Sequence, residues 1–97
     1  MKVIWSSQAM DSLTSVYDYI YERSPQNALT VLDKLLELGE SLAHDFVLYS
    51  IDPIINKDNF RHITLWSFKL IYEIQDDKVI ILEVFDGRQN PDKLDSF

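Results

Sequence analysis

The chain has 97 residues, a net charge of −7 and no cysteine, and 46% of its residues are hydrophobic. This length suits a single domain over residues 1–97, and the apolar content argues against a disordered chain. The lack of cysteine excludes disulfides, thiolate zinc sites and a cysteine nucleophile. There is no apolar run of the kind found in signal peptides or membrane helices, so we expect a cytoplasmic protein without a membrane segment.

The acidic balance bears on the class of partner. Domains that bind nucleic acids usually have a pI above about 9, whereas this sequence has a pI near 4.5. Salt screens charges beyond about 10 Å, so a local basic site is compatible with an acidic chain. The overall charge nevertheless disfavours RNA or the ribosome as the partner.

The first third of the chain predicts a short strand followed by a helix. Lys2 to Trp5 alternates weakly and suits a strand, and Ser6 or Ser7 suits the N-cap of a helix over residues 7–23. The residues that share its apolar face are Ala9, Leu13, Val16, Tyr17 and Ile20. Tyr17, Tyr19 and Tyr21 do not share one helix face, so they are not expected to form a common stacking platform.

A second helix is predicted directly after the first. Ser24 and Pro25 suit its cap and its first helical position. Its apolar stripe consists of Ala28, Val31, Leu32, Leu35, Leu36 and Leu42. Because the break between the helices is short, we expect an antiparallel helical hairpin.

The last third predicts three strands in succession, after an unassigned stretch over residues 44–59. The strand segments are Phe60–Trp66, Ser67–Ile74 and Lys78–Gln89, with a hairpin turn at Gln75-Asp76-Asp77. The last strand places Ile80, Leu82 and Val84 on one side and Val79, Ile81 and Phe85 on the other, so it should be central in the sheet. The predicted fold is α+β in the order β-α-α-β-β-β, with the hairpin packed on a small, mainly antiparallel sheet.

Three phrases of this last third resemble the RelE/ParE family of small bacterial toxins. They are Arg61-x-Ile63, the run Phe68-Lys69-Leu70-Ile71-Tyr72, and Gly87-Arg88-Gln89 after the last strand. Members of this family either cut messenger RNA on the ribosome or poison DNA gyrase, and a cognate antitoxin holds them silent. The resemblance implies the same element order, a cytoplasmic location and an antitoxin as partner.

The resemblance also implies candidate site residues. A basic residue matching Arg61 faces the substrate groove in the family, and Lys69 stands where the ribonucleases carry an arginine that contacts the scissile phosphate. Lysine could act there as a point charge but without the bidentate fork of arginine. Arg88 could bind a phosphate or a carboxylate of a partner. Equally ordinary alternatives are a strand-end ion pair for Arg61, a snorkelling side chain for Lys69 and a loop cation for Arg88.

Other features speak against RNA cleavage. Many members carry a histidine where this chain has Asp86, whose negative charge would repel a phosphate. In the tail, where the ribonucleases often have a tyrosine, the nearest residues are Leu94 and Phe97. His44 and His62 have no neighbours at metal-ligand spacing, so neither a metal nor a cofactor is expected.

These observations favour the toxin of a type II toxin–antitoxin module, of a kind associated with plasmid stabilization. The ParE-like branch acts on DNA gyrase or another protein target through protein–protein interaction, and this reading leans against an enzyme. The alternatives are a ribosome-dependent mRNA endoribonuclease that uses Arg61, Lys69 and Arg88, and a non-toxic relative that only binds a partner.

Overall fold

The computed structural model describes residues 1–46 and 59–87 and has two helices on one face of a four-stranded sheet. The elements in chain order are β1 (Lys2–Trp5), α1 (Ser7–Tyr21), α2 (Pro25–Asp45), β2 (Phe60–Leu65), β3 (Phe68–Ile74) and β4 (Lys78–Asp86). This is the predicted α+β order. No helix in these two described ranges is long and apolar enough to cross a membrane.

A serine is the N-cap of each helix. The hydroxyl of Ser6 accepts a hydrogen bond from the Ala9 amide at 3.0 Å, and Ser24 caps α2 one residue before Pro25. Each cap satisfies an amide that would otherwise lack a partner in the first helical turn. The first helix ends at Tyr21, two residues earlier than predicted, because the amides of Arg23 and Ser24 both turn back to the Ile20 carbonyl.

The sheet has the strand order β1-β4-β3-β2. The last strand therefore lies in the interior of the sheet, as its two apolar faces predict. It pairs parallel to β1 and antiparallel to β3, and β3 pairs antiparallel to β2. Of the three strand pairs among the described residues, β1–β4 is the parallel one, and the long connection between these two strands contains both helices.

A bulge in β4 changes which side chains of that strand face the core, so the faces predicted from the sequence are wrong beyond the bulge. Tyr72 of β3 lies opposite Ile81 and Ile71 lies opposite Glu83, so Leu82 has no opposite residue. The extra residue shifts the alternation of side chains. As a result Val84 joins Val79 and Ile81 in the core, whereas the unbroken alternation had placed it on the opposite side.

The start of α1 packs against this bulge. The Ser6 amide donates to the Ile81 carbonyl at 2.9 Å, and the Ser6 hydroxyl donates to the Leu82 carbonyl at 3.1 Å. The nearby carboxylate of Glu83 accepts from the Gln8 amide group at 2.7 Å and from the Val84 amide at 2.8 Å. Two backbone groups at the bulge, the Leu82 carbonyl and the Val84 amide, thus have side-chain partners.

The core fills the space between the hairpin and the sheet. Its fully buried members include Leu35 and Leu42 of α2 and Leu70, Tyr72, Val79 and Ile81 of the sheet. Gly39 of α2 allows a close approach to the sheet: a Cβ at this position would lie 2.8 Å from Ile81 Cδ1 and 2.9 Å from Trp5 Cη2. This layer of apolar side chains fixes the position of every surface described below.

Candidate partner-binding surfaces

The structure places the two predicted site cations within the described residues on opposite faces of the sheet. Arg61 lies opposite Tyr72, whose side chain packs in the core beneath the helices and whose hydroxyl donates to the Phe46 carbonyl at 2.7 Å. Lys69 lies opposite Thr64 and next to core residues on its own strand, so it points away from the helices. The two positions are three residues apart along β3, roughly 10 Å.

Asp86 is a buried residue that takes part in the packing of the β2–β3 turn. It is 4% exposed, lies opposite Phe68 on the helix-facing side, and accepts a hydrogen bond from the Ser67 hydroxyl at 3.2 Å. Lys69, one residue further along β3, faces the other way. Arg88 falls outside the described residues, so its role stays a prediction.

The histidines lie in separate places. His62 lies opposite Ile71, on the face away from the helices, and His44 is exposed in the last turn of α2. Within residues 1–46 and 59–87, no group of three or more histidine, cysteine or carboxylate side chains could hold a metal ion.

The first candidate binding surface is an apolar groove between the two helices, which we call the interhelical groove. It encloses about 260 Å³. Its lining residues are Met10, Leu13, Thr14, Tyr17, Leu32 and Leu36. Tyr17 also packs against Tyr21 with ring centroids 5.7 Å apart, which extends the aromatic surface towards the end of α1. A groove of this shape and composition can accept the apolar face of an amphipathic helix.

Acidic side chains predominate on the helices that form this groove. The carboxylates of α1 and α2 are Asp11, Asp18, Asp33, Glu37, Glu40 and Asp45. Lys34 is the one lysine or arginine within these two helices, and it is paired with Glu37 at 3.9 Å. The two helices that flank the interhelical groove therefore carry a net negative charge, whereas Arg23 lies beyond the end of α1.

The second candidate surface is a larger groove between the hairpin and the β2–β3 turn, which we call the turn groove. It encloses about 610 Å³, a volume within the usual range of ligand pockets. Its lining residues are Tyr19, Ile20, Arg23, Ser24, Asn27, Thr30, Val31 and Trp66. Within the part of the chain that the structure describes, Arg23 is the one charged residue that lines this groove, on a chain whose net charge is −7.

The guanidinium group of Arg23 is held in place on the wall of the turn groove. Its central carbon lies 4.0 Å from the centroid of the Tyr19 ring, and one of its nitrogens donates to the Tyr19 carbonyl at 3.0 Å. The i, i+4 spacing on α1 and the turn after it brings the two side chains together. The stacked guanidinium retains further N–H donors that point to the sides of the group.

Trp66 forms the opposite wall of the turn groove and is 63% exposed. It is the first residue of the two-residue turn between the paired residues Leu65 and Phe68, and its φ is 55°. Tight hairpin turns require this backbone conformation and normally use glycine, asparagine or aspartate there. A bulky residue in this region costs about 1–2 kcal/mol.

None of the residues that line the two grooves was among the site residues expected from the sequence, which were Arg61, Lys69 and Arg88. The spacing of Tyr19 and Arg23 was visible in the sequence as an i, i+4 pair, and Trp66 was visible next to a turn. No pattern in the sequence showed that the turn packs beside the end of the first helix, because that proximity depends on the order of strands in the sheet.

Comparison with known proteins places the chain in a family. A family model described as the ParE toxin of type II toxin-antitoxin system, parDE, matches residues 3–91. A solved structure described as the chromosomal ParDE TA system from P. aeruginosa is similar in fold, with a TM-score of 0.76 and 21% sequence identity. The alignment covers 89% of this chain and 95% of that chain. A search of curated proteins found no match. The chain belongs to the ParE toxin family of type II toxin–antitoxin systems.

Proposed function

We propose that this toxin acts by binding a protein target, with DNA gyrase as the first candidate, and that a cognate antitoxin neutralises it by occupying the interhelical groove. The observation that carries the proposal is the placement of Arg61 and Lys69 on opposite faces of the sheet. Two cations that stabilise one phosphate must reach the same point, and these two positions face apart.

The environment of Asp86 supports the same proposal. RNA cleavage at the end of the last strand would require a proton-transfer group with access to the substrate. Asp86 is 4% exposed, and the Ser67 hydroxyl donates a hydrogen bond to one of its oxygens. This residue stabilises the β2–β3 turn, and its burial argues against a catalytic role.

The interhelical groove supports the proposed antitoxin contact. An amphipathic segment would bury its apolar face against Met10, Tyr17 and Leu36. The surrounding carboxylates would favour lysine or arginine at the edges of that segment. We therefore expect the antitoxin segment to be more basic than the toxin that it covers.

A matched pair of variants tests this docking site. Met10→Glu places a charge in the groove, whereas Leu29→Glu places the same charge at a residue that is 54% exposed and does not line it. We expect Met10→Glu to weaken antitoxin binding at least tenfold in calorimetry, with little change for Leu29→Glu. Equal affinities for the two variants would contradict the assignment of the groove.

The target is tested with the purified protein in two assays run side by side. We expect inhibition of supercoiling by DNA gyrase and no cleavage of translated mRNA in primer extension. If Arg88 contacts the protein target, Arg88→Glu should weaken the inhibition of gyrase.

Each other outcome identifies a different function. Discrete mRNA cuts that disappear in Lys69→Ala would establish the ribonuclease alternative. If the chain inhibits neither process and does not arrest growth when it is induced without an antitoxin, it is a non-toxic relative.

A further inference from the structure

We infer that the turn groove is a docking site for an acidic, apolar segment of a partner protein, with a carboxylate bound at Arg23 and an aromatic or aliphatic side chain packed on Trp66. The antitoxin segment expected at the interhelical groove is basic, so the two grooves select partners of opposite charge. The inference that the partner at the turn groove is the target of the toxin rests on the proposed function, whereas the binding itself does not.

The positive charge of Arg23 favours a negatively charged group on the partner. Arg23 forms no ion pair with any residue in the described ranges, and the groove lining contains no carboxylate. Its guanidinium is already fixed by the Tyr19 ring and the Tyr19 carbonyl. A preorganised guanidinium loses little side-chain entropy when it binds a carboxylate, which suits it to recognition.

Trp66 provides the apolar half of the site. Its side chain is mostly in water, and its backbone has the conformation in which a residue of this size is disfavoured. Neither the exposed indole nor the positive φ adds much to the stability of the fold, and backbone outliers of this kind cluster at binding sites. Tryptophan and arginine are also the residues that most often dominate binding energy at protein interfaces.

A single cation favours a peptide over a nucleic acid. Nucleic-acid binders neutralise several phosphates along the backbone, and each contact requires a cation. Among the described residues that line the turn groove, Arg23 is the one cation, and the helices beside it are rich in carboxylates. One guanidinium and one exposed indole match a short peptide that carries one carboxylate and one large apolar side chain.

The volume and position of the groove fit such a segment. About 610 Å³ accommodates one or two large side chains of a peptide, while the backbone of the peptide remains at the surface. Ser24, Asn27 and Thr30 add hydrogen-bonding side chains along the α2 wall. The site therefore combines an apolar anchor, a charged anchor and a polar edge, as binding sites of proteins usually do.

The test uses a library of random 12-residue peptides displayed on phage, selected on the wild-type protein. Enriched peptides are synthesised with a fluorescent label, and their affinities are measured by fluorescence anisotropy, which does not depend on a tryptophan of the protein. The variant Trp66→Asn removes the indole and introduces a residue that suits a positive φ.

We expect enriched peptides to share an aspartate or glutamate within a few residues of a large apolar residue. Trp66→Asn should weaken them about 30-fold, the size of a hot-spot truncation. Arg23→Glu should weaken the binding of these peptides by a similar factor. The same variant should bind peptides in which lysine replaces the acidic residue more tightly than it binds the original peptides. Lys34→Glu and Leu29→Ala are the matched controls, because neither residue lines the turn groove, and they should bind as the wild type does.

Several outcomes would overturn the inference. These are a selection that enriches no peptide, enriched peptides that are basic, and affinities that the Trp66 and Arg23 variants leave unchanged. Tight binding of a single-stranded oligonucleotide that depends on Arg23 would assign the groove to nucleic acid. Growth arrest by the wild-type chain, measured in parallel, separates failure of this inference from failure of the proposed function.

Discussion

The bulge in β4 and the turn between β2 and β3 are both irregular, but folding explains only the first. At the bulge, Ser6 and Glu83 satisfy the backbone groups that the extra residue displaces, and the strand around it is buried. At the turn, a tryptophan that is 63% exposed occupies a backbone conformation with φ of 55°. An irregularity that improves packing needs no other explanation, whereas one that costs stability indicates a role in binding.

The largest expected effect lies beside the bulge. Ile81→Ala should lower the free energy of unfolding by about 2–5 kcal/mol, because Ile81 is fully buried between the sheet and α2. Leu35→Ala on the helical side of the same core should cost a similar amount. Urea denaturation measures both, and a cost below about 1 kcal/mol at the two positions would contradict the assigned core.

Gly39→Ala tests the close approach of α2 to the sheet. In an unconstrained helix this change stabilises by about 1 kcal/mol, but here the new Cβ would lie 2.8 Å from Ile81 Cδ1 and would overlap the ring of Trp5. We expect a loss of about 1–3 kcal/mol in urea denaturation, from overpacking. Gly87→Ala is the control, because among the described residues its Cβ would meet only the Ser67 carbonyl oxygen, at 3.5 Å. Stabilisation by Gly39→Ala would mean that α2 lies further from the sheet.

Ser6→Ala tests the link between α1 and the bulge. It removes both the helix cap and the hydrogen bond to the Leu82 carbonyl, so we expect a cost of about 1–3 kcal/mol. Ser24→Ala is the matched control, because Ser24 caps α2 through one longer bond of 3.4 Å and makes no bond to the sheet within residues 1–46 and 59–87. Thermal unfolding of the two variants should rank Ser6→Ala as the less stable, and the reverse order would show that the bulge stands without Ser6.

Trp66→Gly has the smallest expected effect on stability, and unlike the preceding variants it should not lower the free energy of unfolding. Glycine adopts a positive φ without strain, so the free energy of unfolding should stay the same or rise by up to about 1 kcal/mol. Trp66→Ala removes the side chain but keeps the strained backbone, so it should not be stabilising. If the glycine variant instead loses more than about 1 kcal/mol, the tryptophan contributes to folding and the contrast between the two regions fails.

The sequence predicted the elements well because each had a local signal. Ser24-Pro25 marked the start of α2, and the apolar character of both faces of β4 indicated its place inside the sheet. The bulge at Leu82 had no such signal, because any residue of a run of apolar side chains can be the extra one. One inserted residue was enough to reverse the predicted face of Val84.

The candidate site was less predictable because it depends on register. Arg61 and Lys69 fall on opposite faces once the turn is known to contain two residues, since Thr64 then lies opposite Lys69. Tryptophan is rarely found in such a turn, so the sequence did not define the length of the turn or the register of the two strands. The turn groove depends in addition on the packing of the turn beside the end of α1, a contact between residues that are distant in sequence.

The most direct test of the account is the growth of cells in which the chain is induced without its antitoxin. We expect that the wild type and Lys69→Ala arrest growth, whereas Trp66→Gly, at equal expression, does not. The Trp66 side chain would then be required for toxicity although it is dispensable for folding. Growth arrest that persists in Trp66→Gly and is lost in Lys69→Ala would contradict the account and would place the toxic activity on the opposite face of the sheet.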